Sequence, residues 1–139
     1  MNKIEKSIRT IREIAPARFS VLEGENFIHG AFLFKRNRLV SMGLNDPTRI
    51  RAEAFHFGIK FNIEKFKKFS FLHSEVDAVR KCWGKIHIDS SYSIVSLRIN
   101  KKLELKNSKP CCHCNIMLKA LGLDRVWWSN DDGDIETNE

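Results

Sequence analysis

A chain of 139 residues is the length of one domain and long enough to bury a core without staples. It contains no repeat, low-complexity run or linker, no stretch of about 18 apolar residues that would cross a bilayer, and no signal-peptide pattern, so a reducing cytoplasmic setting is expected. The net charge is +7 and unevenly spread: residues 1–110 hold 22 Lys or Arg against 11 Asp or Glu, a balance of +11, and residues 111–139 hold 2 against 6, a balance of −4.

Taken in chain order, the N-terminal segment, residues 3–15, reads as an amphipathic helix with Ile4, Ile8, Ile11 and Ile14 on one side, ended by Pro16. Phe27–Phe34 and Leu39–Leu44 read as a strand pair around the polar turn Lys35-Arg36-Asn37-Arg38. Residues 48–60 read as helix or irregular, and Phe61–Leu72 is ambiguous. From His73 the segment HSEVDAVRKC has Val76 and Val79 three apart and no breaker before Gly84, which predicts a helix starting at His73. Ser93–Asn100 alternates as a strand, with Leu103-Glu104-Leu105 pairing back on it. Pro110 precedes a second short helix from Cys111 to Gly122, and Arg125–Ser129 is a further strand feeding a turn at Asp131-Asp132-Gly133. Adjacent Trp127 and Trp128 must face opposite sides of that strand, which predicts one in the core and the other exposed.

Two short motifs carry chemistry. His73-Ser74-Glu75 offers an imidazole and a carboxylate, and Pro110-Cys111-Cys112-His113-Cys114 offers two thiols in Cys-x-x-Cys spacing. Either alone is weak, because Cys-x-x-Cys also serves redox and structural sites. Together they supply three zinc ligands, His73, Cys111 and Cys114, which leaves the fourth tetrahedral position open to a water whose pKa falls from about 15.7 towards ~7. Glu75 lies close enough in sequence to reach that water without being a ligand and is the candidate proton shuttle. Both ligand sets fall at expected helix N-termini, where the dipole and free N–H groups favour thiolate. Cys82 reads as a buried small apolar residue and Cys112 as a bystander; His113 is expected to face solvent or a loop, and His29, His56 and His87 lack ligand spacing.

His-x-Glu followed by Pro-Cys-x-x-Cys is the signature of zinc deaminases acting on cytosine or adenine. On these motifs, and on Leu72-His73-Ser74-Glu75-Val76-Asp77-Ala78 and Asn107-Ser108-Lys109-Pro110-Cys111, the chain resembles the cytidine and deoxycytidylate deaminase superfamily, nearest to small phage and viral members, over about residues 27–135. The resemblance implies one α/β domain over residues 1–139, a cytidine deaminase-like three-layer α/β/α fold with a central sheet of four to five strands and one zinc clamped between two helix starts. It also offers Asn45, in Gly43-Leu44-Asn45, as a ligand for the substrate sugar, while Asn45-Asp46-Pro47 equally suits a plain turn. Ser74 stands where the family commonly has alanine or valine. Ile135 onward forms either a short antiparallel strand, as in members resembling free cytidine deaminases, or part of the helix and parallel strand of the deoxycytidylate and polynucleotide groups. The few residues left favour the first, the His-first motif favours the second, and both stay open.

Basic segments adjoin both motifs: Lys65, Lys67 and Lys68 interleave with Phe66, Phe69 and Phe71, and Lys101, Lys102, Lys106 and Lys109 precede Cys111. They suit phosphate contacts, or a solvated face over core phenylalanines. The reading is a zinc-dependent hydrolytic deaminase, cytosine to uracil in a (deoxy)cytidine nucleotide or nucleoside. One alternative is a deaminase of cytosine or adenine in single-stranded DNA or RNA, and the other a zinc-stabilised, non-catalytic binding or assembly module. No membrane partner is expected, and homo-oligomerisation is left open.

Overall fold

Alternating apolar residues in the first strand pair do build a hairpin. In the structure, a computed structural model that describes residues 1–50, 52–63 and 71–138, β1 (Phe27–Lys35) pairs antiparallel with β2 (Arg38–Leu44) and, on its other side, with β5 (Tyr92–Asn100). β6 (Leu105–Lys106) returns antiparallel along the end of β5, and β7 (Val126–Ser129) runs parallel to its earlier half. β8 (Ile135–Thr137) then pairs antiparallel with β7, so Asp132-Gly133 does turn the chain back. The result is a mixed six-stranded sheet of order β2-β1-β5-β7-β8 with β6 beside β5, one strand wider than expected because β6 and β8 are short edge pieces. A separate pair joins β3 (Asp46–Ile50) to β4 (Phe71–Leu72). No helix among the described residues is long and apolar enough to cross a membrane.

Four helices accompany the sheet among the described residues: α1 (Lys3–Val21), α2 (Ala52–Phe61), α3 (Ser74–Cys82) and α4 (Cys112–Ala120). Strand alternation divides the core into two layers. On one face Phe32, Phe34, Val95, Leu97 and Ile99 pack against Ile11 and Ala15 of α1. On the other Ala31, Leu33, Ile94 and Val126 pack against Val76, Val79, Met117 and Leu118 of α3 and α4.

Two expectations need correction. α1 does not stop at Pro16 but continues through it to Val21. A proline inside a helix costs about 3 kcal/mol. Ala15 is fully buried, and Phe19 and Leu22 join the same core cluster, so apolar packing on both sides of the proline offsets that cost. The tryptophans do face opposite ways, Trp127 towards the α1 layer and Trp128 towards the other, but each is half-buried and neither is fully core or fully exposed. Each ring carries a lysine, with Lys3 Nζ 3.8 Å from the Trp127 centroid and Lys109 Nζ 5.4 Å from that of Trp128.

α3 lies directly on β2. Ser41 Oγ donates to Ala78 O over 2.7 Å, Lys81 Nζ donates to Met42 O over 2.9 Å, and the buried Asp77 carboxylate accepts from Leu44 N at 2.9 Å. Gly43 permits the approach, since a Cβ there would collide with Ser74 O and Ala78 N. The β3–β4 pair sets Leu72 opposite Asp46, which brings the chain to His73 at the start of α3.

Candidate metal centre

The two motifs meet. His73 is the N-cap of α3 and Cys111 the N-cap of α4, where the Cys111 sulfur accepts from Cys114 N at 3.4 Å. His73 Nδ1 stands 3.4 Å from Cys114 Sγ and 3.8 Å from Cys111 Sγ, and all three ligand atoms lie within 4.8 Å of one another. Tetrahedral bonds of about 2.3 Å to sulfur and 2.0–2.1 Å to nitrogen place two such ligands about 3.6 Å apart. The observed separations bracket that value, and one imidazole with two thiols is a donor set that zinc favours. His73, Cys111 and Cys114 can therefore hold a metal ion such as zinc.

The approach to Cys111 is pinned by serines. Ser108 Oγ donates to Ser96 O on β5 and accepts from Ser129 N on β7 at 3.0 Å, while Ser129 Oγ donates to Lys106 O at 2.6 Å. Ser108 N donates to Ser129 O at 2.9 Å, and Asn107 N donates to Asp131 Oδ1 at 3.1 Å. These bonds tie residues 106–108 to both neighbouring strands and so fix where Pro110 delivers the thiols.

The thiols are electrostatically unlike. Cys111 is held down to about 3, first by a hydrogen bond from the Cys114 thiol, with His73 and the Cys114 N–H adding to it against the cost of burial. Cys114 is pushed well up, by sharing its proton with Cys111 first, then by burial and by the carboxyl of Glu75.

Glu75 is buried, 6% exposed, and lies close enough to Cys114 to act on it through both charge and a hydrogen bond. Ser96 Oγ donates to its Oε1 at 2.9 Å and Ser74 Oγ to its Oε2 at 3.3 Å. Both serines were poor candidates in the sequence alone. Ser96 is one of four polar positions in β5, with Ser93, Arg98 and Asn100, so the strand's pattern does not single it out; Ser74 lies between His73 and Glu75 and carries no signal of its own.

His29 on β1 also reaches the neighbourhood of the centre. Its pKa falls from 6.5 to about 4, by burial first, then by the positive charges of Arg98 and His73. It is not one of the metal-ligating cluster. Cys82 is buried with its sulfur turned to Ala78 O and Val79 O, Cys112 is exposed, His56 and His87 are exposed, and His113 is half-buried.

Asn45 is half-buried at the end of β2. Its Oδ1 accepts from His29 N at 3.0 Å, its N–H donates to His29 O at 3.2 Å, and its carbonyl accepts from Arg18 at 2.8 Å. Lys109 is exposed beside Trp128; Lys101 and Lys102 lie exposed at the β5–β6 turn, and Lys106 is on β6. Lys65, Lys67 and Lys68 lie outside the described residues. No protein-family model, curated protein or solved structure matches the chain, so the functional reading stands on these residues and their geometry.

Proposed function

We propose that the chain is a zinc-dependent hydrolytic deaminase with the cytidine deaminase-like fold, converting cytosine to uracil in a nucleotide or nucleoside and releasing ammonia. The observation that carries this reading is Glu75, a buried carboxyl that is not one of the three metal donors yet stands beside them, oriented by Ser96 and Ser74. A structural zinc site is closed by four protein ligands and has no use for such a group.

His73, Cys111 and Cys114 would hold the zinc, which when bound supplies Lewis acidity that makes water nucleophilic near neutral pH. Glu75 takes a proton from the attacking water and delivers it to the ring nitrogen beside the reacting carbon, then takes the second proton from the added hydroxyl and passes it to the departing amine, so that the C–N bond breaks, the carbonyl forms and ammonia leaves. The short bond from Ser96 anchors Oε1, and the longer one from Ser74 leaves Oε2 the more available for transfer. Trp128 is half-buried against the same core layer as Cys111 and carries Lys109 over its ring, a pairing that supports a base stacked near a phosphate.

The test is a screen of purified, zinc-loaded protein against nucleosides, nucleotides and oligonucleotides, reading ammonia release or the product mass. Metal analysis should find about one zinc per chain, lost in Cys111→Ser and Cys114→Ser. Glu75→Ala should keep zinc and lower turnover by at least ~100-fold. Full zinc retention in both cysteine variants removes the ligand assignment. A wild-type protein inert on every substrate supports a zinc-stabilised module, and activity confined to oligonucleotides supports a polynucleotide editor.

A further inference from the structure

We propose that a cavity at the end of the sheet where β5 and β7 begin binds a phosphate group, separately from the metal centre. The cavity measures about 380 Å³, within the range of ligand sites, and its lining includes Lys3, Arg36, Asn37, Ser91, Ser93 and Arg125. Three cations and several hydroxyls converge there, and no carboxylate lines it among the described residues.

The site is built from four separate parts of the chain. Lys3 opens the 19-residue α1, so the positive end of that helix faces the same place. Its ammonium is held on the floor, donating to Ser93 Oγ at 3.2 Å and lying 3.8 Å from the Trp127 ring. Ser93 itself is buried, 2% exposed. Arg36 N donates to Ser91 O at 2.8 Å, which ties the β1–β2 turn to the segment entering β5. Arg36 occupies this turn at φ 55°, the left-handed conformation that a two-residue hairpin turn requires. Arg125, the residue before β7, also lines the cavity.

Two guanidinium groups match phosphate oxygens in bidentate geometry, and an ammonium with hydroxyl donors completes a set suited to a tetrahedral oxyanion. Asp89 stands nearby, accepting from both the N–H and the hydroxyl of Ser91, and is outnumbered by the three cations. Ser93 points to the α1 layer, whereas Ser96, which bonds Glu75, points to the layer of α3 and α4. Occupancy of the cavity is therefore independent of the deaminase reading. The phosphate belongs either to a small anion or to a nucleic-acid backbone.

Two-dimensional NMR titrations of zinc-loaded protein test this, one with inorganic phosphate and one with a short single-stranded oligothymidylate. With at least one of the two, the amides of Arg36, Asn37, Ser91 and Ser93 should shift saturably. Arg36→Gln/Arg125→Gln should weaken that binding by about tenfold or more, and the equally charge-reduced Lys85→Gln/Lys119→Gln should leave it within about twofold. The more potent titrant identifies the source of the phosphate. If neither titrant shifts these amides saturably, or if both double variants weaken binding alike, the cavity is not a phosphate site.

Discussion

Ser96 Oγ donates a 2.9 Å hydrogen bond to Glu75 Oε1, joining the middle of β5 to the first turn of α3 between two buried residues. A buried carboxyl with a free rotamer would sample several orientations, and only some face the metal donors. Ser96→Ala is expected to lower kcat by about tenfold, the scale of one hydrogen bond to a charged group, with zinc content unchanged. Ser96→Thr should recover much of the loss, provided its methyl fits. An Ala variant with full activity would reduce Ser96 to a filler of the sheet.

Gly43 sets how closely α3 approaches the sheet. A methyl there meets the backbone at Ser74 and Ala78, which cannot swing aside as a side-chain tip would. Gly43→Ala should cost at least 1–3 kcal/mol, the approximate scale of overpacking, and weaken zinc binding because His73 caps the displaced helix. Thermal melting and metal titration read the two effects. Normal zinc affinity in a destabilised variant would uncouple the helix position from the ligand geometry.

The sequence made the hairpin and both motif helices legible because each depends on local signals: strand alternation around a polar turn, and an N-cap followed by apolar spacing. The candidate metal donors were legible because the two motifs taken together limit what they can do. Three other features depend on contacts distant in sequence. The passage of α1 through Pro16 rests on Ala15 and Phe19 packing beneath β1 and β5. Ser96 shows its role only when β5 lies under α3. Asn45, a sugar-ligand or turn candidate in the sequence, accepts from the His29 backbone through its side-chain oxygen, a contact that only the pairing of β1 and β2 brings about.

His29 makes stability depend on pH in a predictable direction. Burial, then Arg98 and His73, hold its pKa down at about 4, against 6.5 when unperturbed. The unfolded chain therefore takes up a proton below about pH 6.5 that the folded chain refuses until about pH 4. Stability is fully present above the unfolded value and is lost across that window, by up to roughly 3 kcal/mol. His29→Gln should show a shallower loss than the wild type between those limits in urea denaturation at matched zinc. Identical slopes would mean that His29 titrates normally in the folded protein.

The basic residues decide between a nucleotide and a polymer as substrate. On a single strand each neutralised phosphate contributes about −0.7 to the slope of log affinity against log salt. Lys101 and Lys102 project from the β5–β6 turn and Lys106 is on β6, while Lys109 stands beside Trp128 two residues before Cys111. A nucleotide has its phosphates at one locus and can engage only one or two of these groups. The expected outcome is a shallow salt dependence of KM, sensitive to Lys109→Gln and little changed by Lys101→Gln/Lys102→Gln. Steady-state kinetics at several salt concentrations, with a cytosine nucleotide and a cytosine-containing oligonucleotide in parallel, provide the reading. A slope implying four or more contacts, roughly −3, together with preference for the oligonucleotide, would move the assignment to polynucleotide deamination.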